Sequence, residues 1–105
     1  MLDQSAIDQL RRLIFSVVVP RQIILFGTQA TGRVSEDSDI DVLIVVGDDT
    51  ADLRHLRQSL HIQISASVSL PCDVLVERES TFAQRSELPT LERSIKETGT
   101  TLYAA

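Results

Sequence analysis

Residues Gly27 to Val46, GTQATGRVSEDSDIDVLIVV, decide how this chain is read. A glycine-bounded turn follows one apolar run, and Asp-Ile-Asp opens another. Asp39 and Asp41 lie two positions apart. Side chains on a strand alternate faces, so both carboxylates are expected on one side. Two carboxylates on one face repel each other unless water, a base or a cation separates them. Arg33 is the single cation in this run, against Glu36, Asp37, Asp39 and Asp41. That imbalance favours a divalent metal, because hard cations such as Mg²⁺ take oxygen ligands. A phosphate-sized turn beside a metal-sized pair of acids points to chemistry on a nucleotide.

The flanking segments place this stretch in a fold. Gln22 to Phe26, QIILF, is a short apolar run closed by Gly27 and reads as a buried strand. Ile40 to Val46, IDVLIVV, is continuously apolar and β-branched after its acid, as expected of a central strand covered on both faces. Upstream, residues 3 to 18 carry Ile7, Leu10, Leu13, Ile14, Val17 and Val18 at helical spacing, and Pro20 ends that helix. Thr28 to Gly32 reads as a turn or a short helical start. Downstream, residues 47 to 50 form a turn that caps a helix over 51 to 64, with Leu53, Leu56, Leu60 and Ile64 inward. Pro71 precedes a third strand, Cys72 to Glu77. Residues 79 to 86 and 89 to 97 read as short helices, with Pro89 in the first turn of the second. Gly99 stops it, and Thr101 to Tyr103 forms a short terminal strand. The order predicts an α/β fold, a sheet covered by helices, in a single domain spanning 1–105.

Composition narrows the partners. The chain has 105 residues, of which 43% are hydrophobic and 24% charged, the balance of one folded soluble domain with a modest core. A net charge of −5 disfavours nucleic acid, whose binders are normally basic. The single cysteine, Cys72, excludes an internal disulfide and fits a reducing compartment, so a cytoplasmic location is expected. No apolar stretch reaches membrane-spanning length. The first ten residues, MLDQSAIDQL, carry acids early and do not read as a signal peptide.

Two motifs carry the chemistry. Gly27 follows a strand directly, and glycine lets a backbone approach a ligand closely. If a helix starts at Thr28, its free N–H groups are able to hold a phosphate. Gly27 and Gly32 have the spacing of a P-loop, yet the lysine position holds Arg33 and the Ser/Thr position Val34, so that motif is rejected. Asp73 supplies a third acid. In CDVLVE, Asp73, Leu75 and Glu77 share a face, and if this strand lies beside the first acidic one, Asp73 approaches Asp39 and Asp41. Three carboxylates on two neighbouring strands suit a two-metal site for phosphoryl displacement. Asp73 is then the candidate to activate an incoming hydroxyl. Cys72 reads as packing, and Tyr103 as a packed terminal aromatic. His55 and His61, six apart on a helix, read as surface positions, and Arg54, Arg57, Arg85 and Arg93 as solvated helix faces.

Gly27-Thr28, then Ser38-Asp39-Ile40-Asp41-Val42, then Asp73 resemble the ordered motif set of the DNA polymerase β-like nucleotidyltransferase superfamily. The small size and the ending Ile95 to Tyr103 look like its minimal nucleotidyltransferase (MNT) branch. The resemblance covers nearly the whole chain. It implies a small mixed sheet with helices, ATP held by Gly27, Thr28 and Arg33, and Mg²⁺, two ions, held by Asp39, Asp41 and Asp73. It implies transfer of AMP from ATP to a hydroxyl with release of pyrophosphate. Stand-alone MNT proteins of the family pair with an HEPN ribonuclease toxin and act as its antitoxin, by binding it, by AMPylating it, often on tyrosine, or both. The resemblance leaves two further readings: neutralisation by binding alone, and a nucleotidyltransferase subunit of a two-chain small-molecule transferase. This chain departs from the family at Thr28, where serine is usual, and at Thr31, where arginine is usual. Threonine cannot supply the bidentate phosphate contact of a guanidinium.

Overall fold

In the computed structural model, which describes residues 3–27, 40–68 and 71–105, the apolar runs of the sequence build one sheet. The elements follow in the order α1 (Gln4–Val17), β1 (Gln22–Phe26), β2 (Ile40–Val46), α2 (Leu53–Ser67), β3 (Cys72–Arg78), α3 (Glu79–Arg85), α4 (Leu91–Thr98) and β4 (Thr100–Ala104). Across the sheet the strands run β3-β2-β1-β4. β1 is antiparallel to both β2 and β4, while β2 and β3 are parallel. The sheet is therefore mixed, and β2 lies inside it, as its unbroken apolar run requires.

Period-two alternation assigns the faces. One face packs on α1 and α2: Ile23 and Leu25 of β1, Ile40, Val42, Ile44 and Val46 of β2, and Cys72 and Val74 of β3 meet Leu10, Ile14, Leu60 and Ile64. The other face packs on α3 and α4, where Ile24, Leu43 and Val45 meet Phe82 and Ile95, with Phe26 and Leu75 at the margin. Ile23, Ile44 and Ile64 are fully buried, and each such side chain contributes about 1.5–3 kcal/mol over its exposed state.

Polar contacts fix the ends. Asp3 caps α1 by accepting from the Ala6 N–H at 2.8 Å, an interaction that stabilises by about 1 kcal/mol. Asp52, not the preceding turn, caps α2, accepting from the His55 N–H at 3.1 Å, and the helix extends to Ser67. Pro89 lies ahead of α4 and not in its first turn; Thr90 is the cap, accepting from the Arg93 N–H at 3.2 Å. Asp48, in the turn after β2, accepts from the Ser80 N–H at 2.9 Å and so ties that turn to the start of α3. Gly99 is required by close approach. A Cβ there would lie 2.5 Å from the Ile95 carbonyl and 2.6 Å from Cγ2 of Ile24, so α4 hands the chain to β4 with no room for a side chain. Among the described residues, no helix is long and apolar enough to cross a membrane.

Candidate functional site

Asp41 and Asp73 are register partners on the parallel strands β2 and β3. Adjacent strands lie about 4.8 Å apart, and both residues belong to the sheet face that carries Leu43, Val45 and Leu75 beneath α3 and α4. The alternation that buries Val42 and Val74 on one side therefore sends both carboxylates to the other. Asp41 is half-buried and Asp73 exposed.

On the opposite flank of Asp41, Phe26 is its partner on β1, and the next residue is Gly27. Its φ of +75° lies in the left-handed region that glycine adopts without penalty. A Cβ at Gly27 would collide with Oδ2 of Asp41 and come within 3.3 Å of its Cγ. The turn is thus pressed against the carboxylate, and glycine is needed there for both conformation and space.

Asp41, Asp73 and Phe26 line a cavity of about 490 Å³, together with Val74, Leu75, Leu91 of α4, and Arg57 and His61 of α2. Cys72 is buried on the far side of the acids. Burial first, and then the carboxylates of Asp73 and Asp41, push its thiol up to about 11. It is a neutral packing residue, as the sequence implies, and it registers the negative field of both acids.

The expected residues thus fall in two groups. Gly27, Asp41 and Asp73 are brought together. Thr28, Thr31, Arg33 and Asp39 lie outside the described residues. Among the described residues, no three His, Cys, Asp or Glu side chains converge as a metal-binding group; Asp41 and Asp73 form a pair. The donor chemistry of that pair nevertheless suits magnesium, which binds through one or two carboxylates plus phosphate oxygens.

From sequence alone Arg57 and His61 read as solvated surface positions. They are exposed, but they also border the acid-lined cavity. Their spacing was the available signal: residues four apart share a helix face, whereas His55 and His61, six apart, do not. Tyr103 packs edge-on against Phe15, with ring centroids 4.9 Å apart. Arg85 is not merely solvated: its Nε donates to Oε2 of Glu92 at 2.5 Å.

A second acidic pair lies at the other end of β3. Glu77 is half-buried, and its Oε1 is shielded from water with no hydrogen-bond partner among the described residues. Glu92, only 7% exposed, is its neighbour. Burial, then the Glu92 carboxylate, push Glu77 up to about 7, while Arg85 opposes the rise. Glu92 is held below the usual range, chiefly by Arg85. Below about 7, Glu77 therefore holds its proton beside the ionised Glu92.

Comparison with known proteins bears on this geometry. The family model for the nucleotidyltransferase domain matches residues 7–100. No curated protein matches the chain in sequence. Among solved structures, a toxin–antitoxin complex with AMP-PNP contains a chain 18% identical, with a TM-score of 0.68, covering 94% of this chain and 73% of its own. A complex of the tri-AMPylated Shewanella oneidensis HEPN toxin with its MNT antitoxin gives 17% identity and a TM-score of 0.67, covering 99% and 74%. The MntA–HepT toxin–antitoxin structure gives 16% identity and a TM-score of 0.61, covering 98% and 74%. At these identities the likeness is one of fold.

Proposed function

The chain belongs to the nucleotidyltransferase domain family, and from that premise we propose that it transfers AMP from ATP to a hydroxyl, a tyrosine, of a partner protein. In this reading it is the MNT antitoxin of an HEPN-type toxin, bound to that toxin in the cytoplasm. The observation that carries the proposal is the register of Asp41 against Asp73 with Gly27 pressed on Asp41. Two carboxylates on neighbouring strands beside Gly27, which presents no side chain, support the reading of a site for a metal-bound triphosphate.

Gly27 and Thr28 hold the triphosphate, with Arg33 as the available guanidinium. Asp39, Asp41 and Asp73 would hold magnesium, which would neutralise charge on the phosphates. Asp73, the more exposed of the described acids, takes the proton of the acceptor hydroxyl. The acceptor oxygen forms a bond to the α-phosphorus as the bond from that phosphorus to the bridging oxygen breaks, and pyrophosphate leaves with the electron pair. Leu91, Phe26 and Leu75 give the cavity an apolar wall on which an aromatic acceptor ring rests.

The test incubates the full chain with ATP, Mg²⁺ and the protein encoded beside its gene, and maps AMP on the partner by mass spectrometry. AMP on a partner tyrosine, lost with Asp73→Asn, is expected. A partner that binds and remains unmodified contradicts the catalytic reading. Thr31 in place of arginine favours one second reading, neutralisation by binding alone. Under that reading Asp41→Asn neutralises the toxin as fully as the wild type does.

A further inference from the structure

Arg57 and His61 are not explained by folding. Both are exposed on α2, and no hydrogen bond or ion pair from either side chain is recorded among the described residues. α2 lies against the sheet face opposite the acids. These two residues nevertheless line the cavity that Asp41 and Asp73 line, and β3, which carries Asp73, is an edge strand of the sheet.

The order of groups along the site is therefore fixed by the strand order. Gly27 follows β1, Asp41 is on β2 and Asp73 is on the edge strand β3; Arg57 and His61 line the cavity with the two acids, whereas Gly27 is not among its described lining. If the triphosphate occupies the Gly27 end, as in the proposed function on which this inference rests, the acceptor enters from the other end. Its hydroxyl then meets Asp73 with Arg57 and His61 at its back. A guanidinium and an imidazole there are hydrogen-bond donors for an anion. The overall charge of −5 repels anions, so an anionic preference must come from this local wall.

We infer that Arg57 and His61 are specificity-determining residues that select an acceptor carrying an anionic group beside its hydroxyl. Two sources share that chemistry. One is a tyrosine flanked by acidic residues. The other is a tyrosine already bearing AMP, whose phosphodiester is the anion and whose ribose supplies the next hydroxyl. Arg57 grips the anion and Leu91 packs on the ring or base.

The experiment uses fluorescent tyrosine peptides with neutral, Asp-flanked, Lys-flanked or AMP-bearing tyrosine. Binding to the full chain is read by anisotropy at fixed salt, and AMP transfer is followed with ATP and Mg²⁺. One or both anionic peptides are expected to bind about tenfold more tightly than the neutral one, the scale of one charge-assisted hydrogen bond. Which of the two does so identifies the source. Arg57→Glu should reverse the order toward the Lys-flanked peptide, Arg57→Lys should restore part of the preference, and Arg54→Ala, on the same helix but away from the cavity, should keep it. In transfer assays the Arg57→Ala defect should fall on the acceptor's KM and not on that for ATP. Equal binding of all four peptides, or a defect confined to the KM for ATP, overturns the inference. Charge-selective binding without AMP transfer would sink the catalytic reading while leaving this one standing; transfer without charge preference does the reverse.

Discussion

Replacing Glu77 with glutamine should stabilise the protein in alkali and leave it nearly unchanged in acid. Glu77 and Glu92 face each other between β3 and α4, and one oxygen of Glu77 is buried with no donor among the described residues. The Glu77 carboxyl is pushed up to about 7 from an ordinary 4.5. Between those values the folded protein holds a proton that the unfolded chain has released, so stability falls as pH rises through the window. Above about 7 both groups are ionised and the folded state carries the full cost. A rise of about 2.5 units corresponds to ~3.4 kcal/mol at 1.36 kcal/mol per unit. Glu77 is only half-buried, and solvent screening reduces this to roughly 1–2 kcal/mol. Glutamine keeps the shape, has no charge and can donate to Glu92. Glu92 contributes in the opposite sense, but its carboxyl is held low, so its window lies at more acidic pH. Urea denaturation at pH 5 and pH 8 separates the cases. The variant should match the wild type at pH 5 and gain about 1–2 kcal/mol at pH 8, with an unchanged slope. An equal effect at both values, or a loss at pH 8, would refute the shared-proton account.

Three further outcomes follow from the packing. Gly27→Ala should lose about 1–3 kcal/mol in denaturant titration, from the left-handed backbone and the collision with Asp41, and calorimetry should show weakened ATP binding. Gly99→Ala, remote from the cavity, should destabilise by a similar amount, because its Cβ would strike the Ile95 carbonyl and the Ile24 side chain; calorimetry should show ATP affinity retained wherever the protein is folded. Ile44→Ala, at a fully buried position in the central strand, should cost about 2–5 kcal/mol in the same titration.

The sheet was legible because its strands are short, apolar and punctuated. QIILF before Gly27 and IDVLIVV after the acidic run leave little choice but buried strands. Alternation gives the shared face of Asp73 and Asp41 only if β3 lies beside β2; that they are register partners is a property of the parallel pairing itself. Helix ends were less legible. The Asp48 side chain accepts from the Ser80 N–H at the start of α3 from another part of the chain, a contact that local composition does not encode; Thr90 displaces Pro89 from the start of α4 by a local cap on the Arg93 N–H that competes with the proline signal. Arg57 and His61 were missed for a related reason. Their place in the cavity depends on how α2 packs on the sheet, which brings them to the same cavity as Asp41 and Asp73. Glu77 was seen on the correct face, but its proton depends on Glu92, 15 positions later, arriving against it.

The most direct test of the nucleotide site is a crystal soaked with Mn²⁺ and a non-hydrolysable ATP analogue. Anomalous scattering should place manganese in contact with both Asp41 and Asp73, with the analogue's phosphates against the Gly27 turn. Nucleotide bound elsewhere, or bound at Gly27 with no metal touching either carboxylate, would contradict the account.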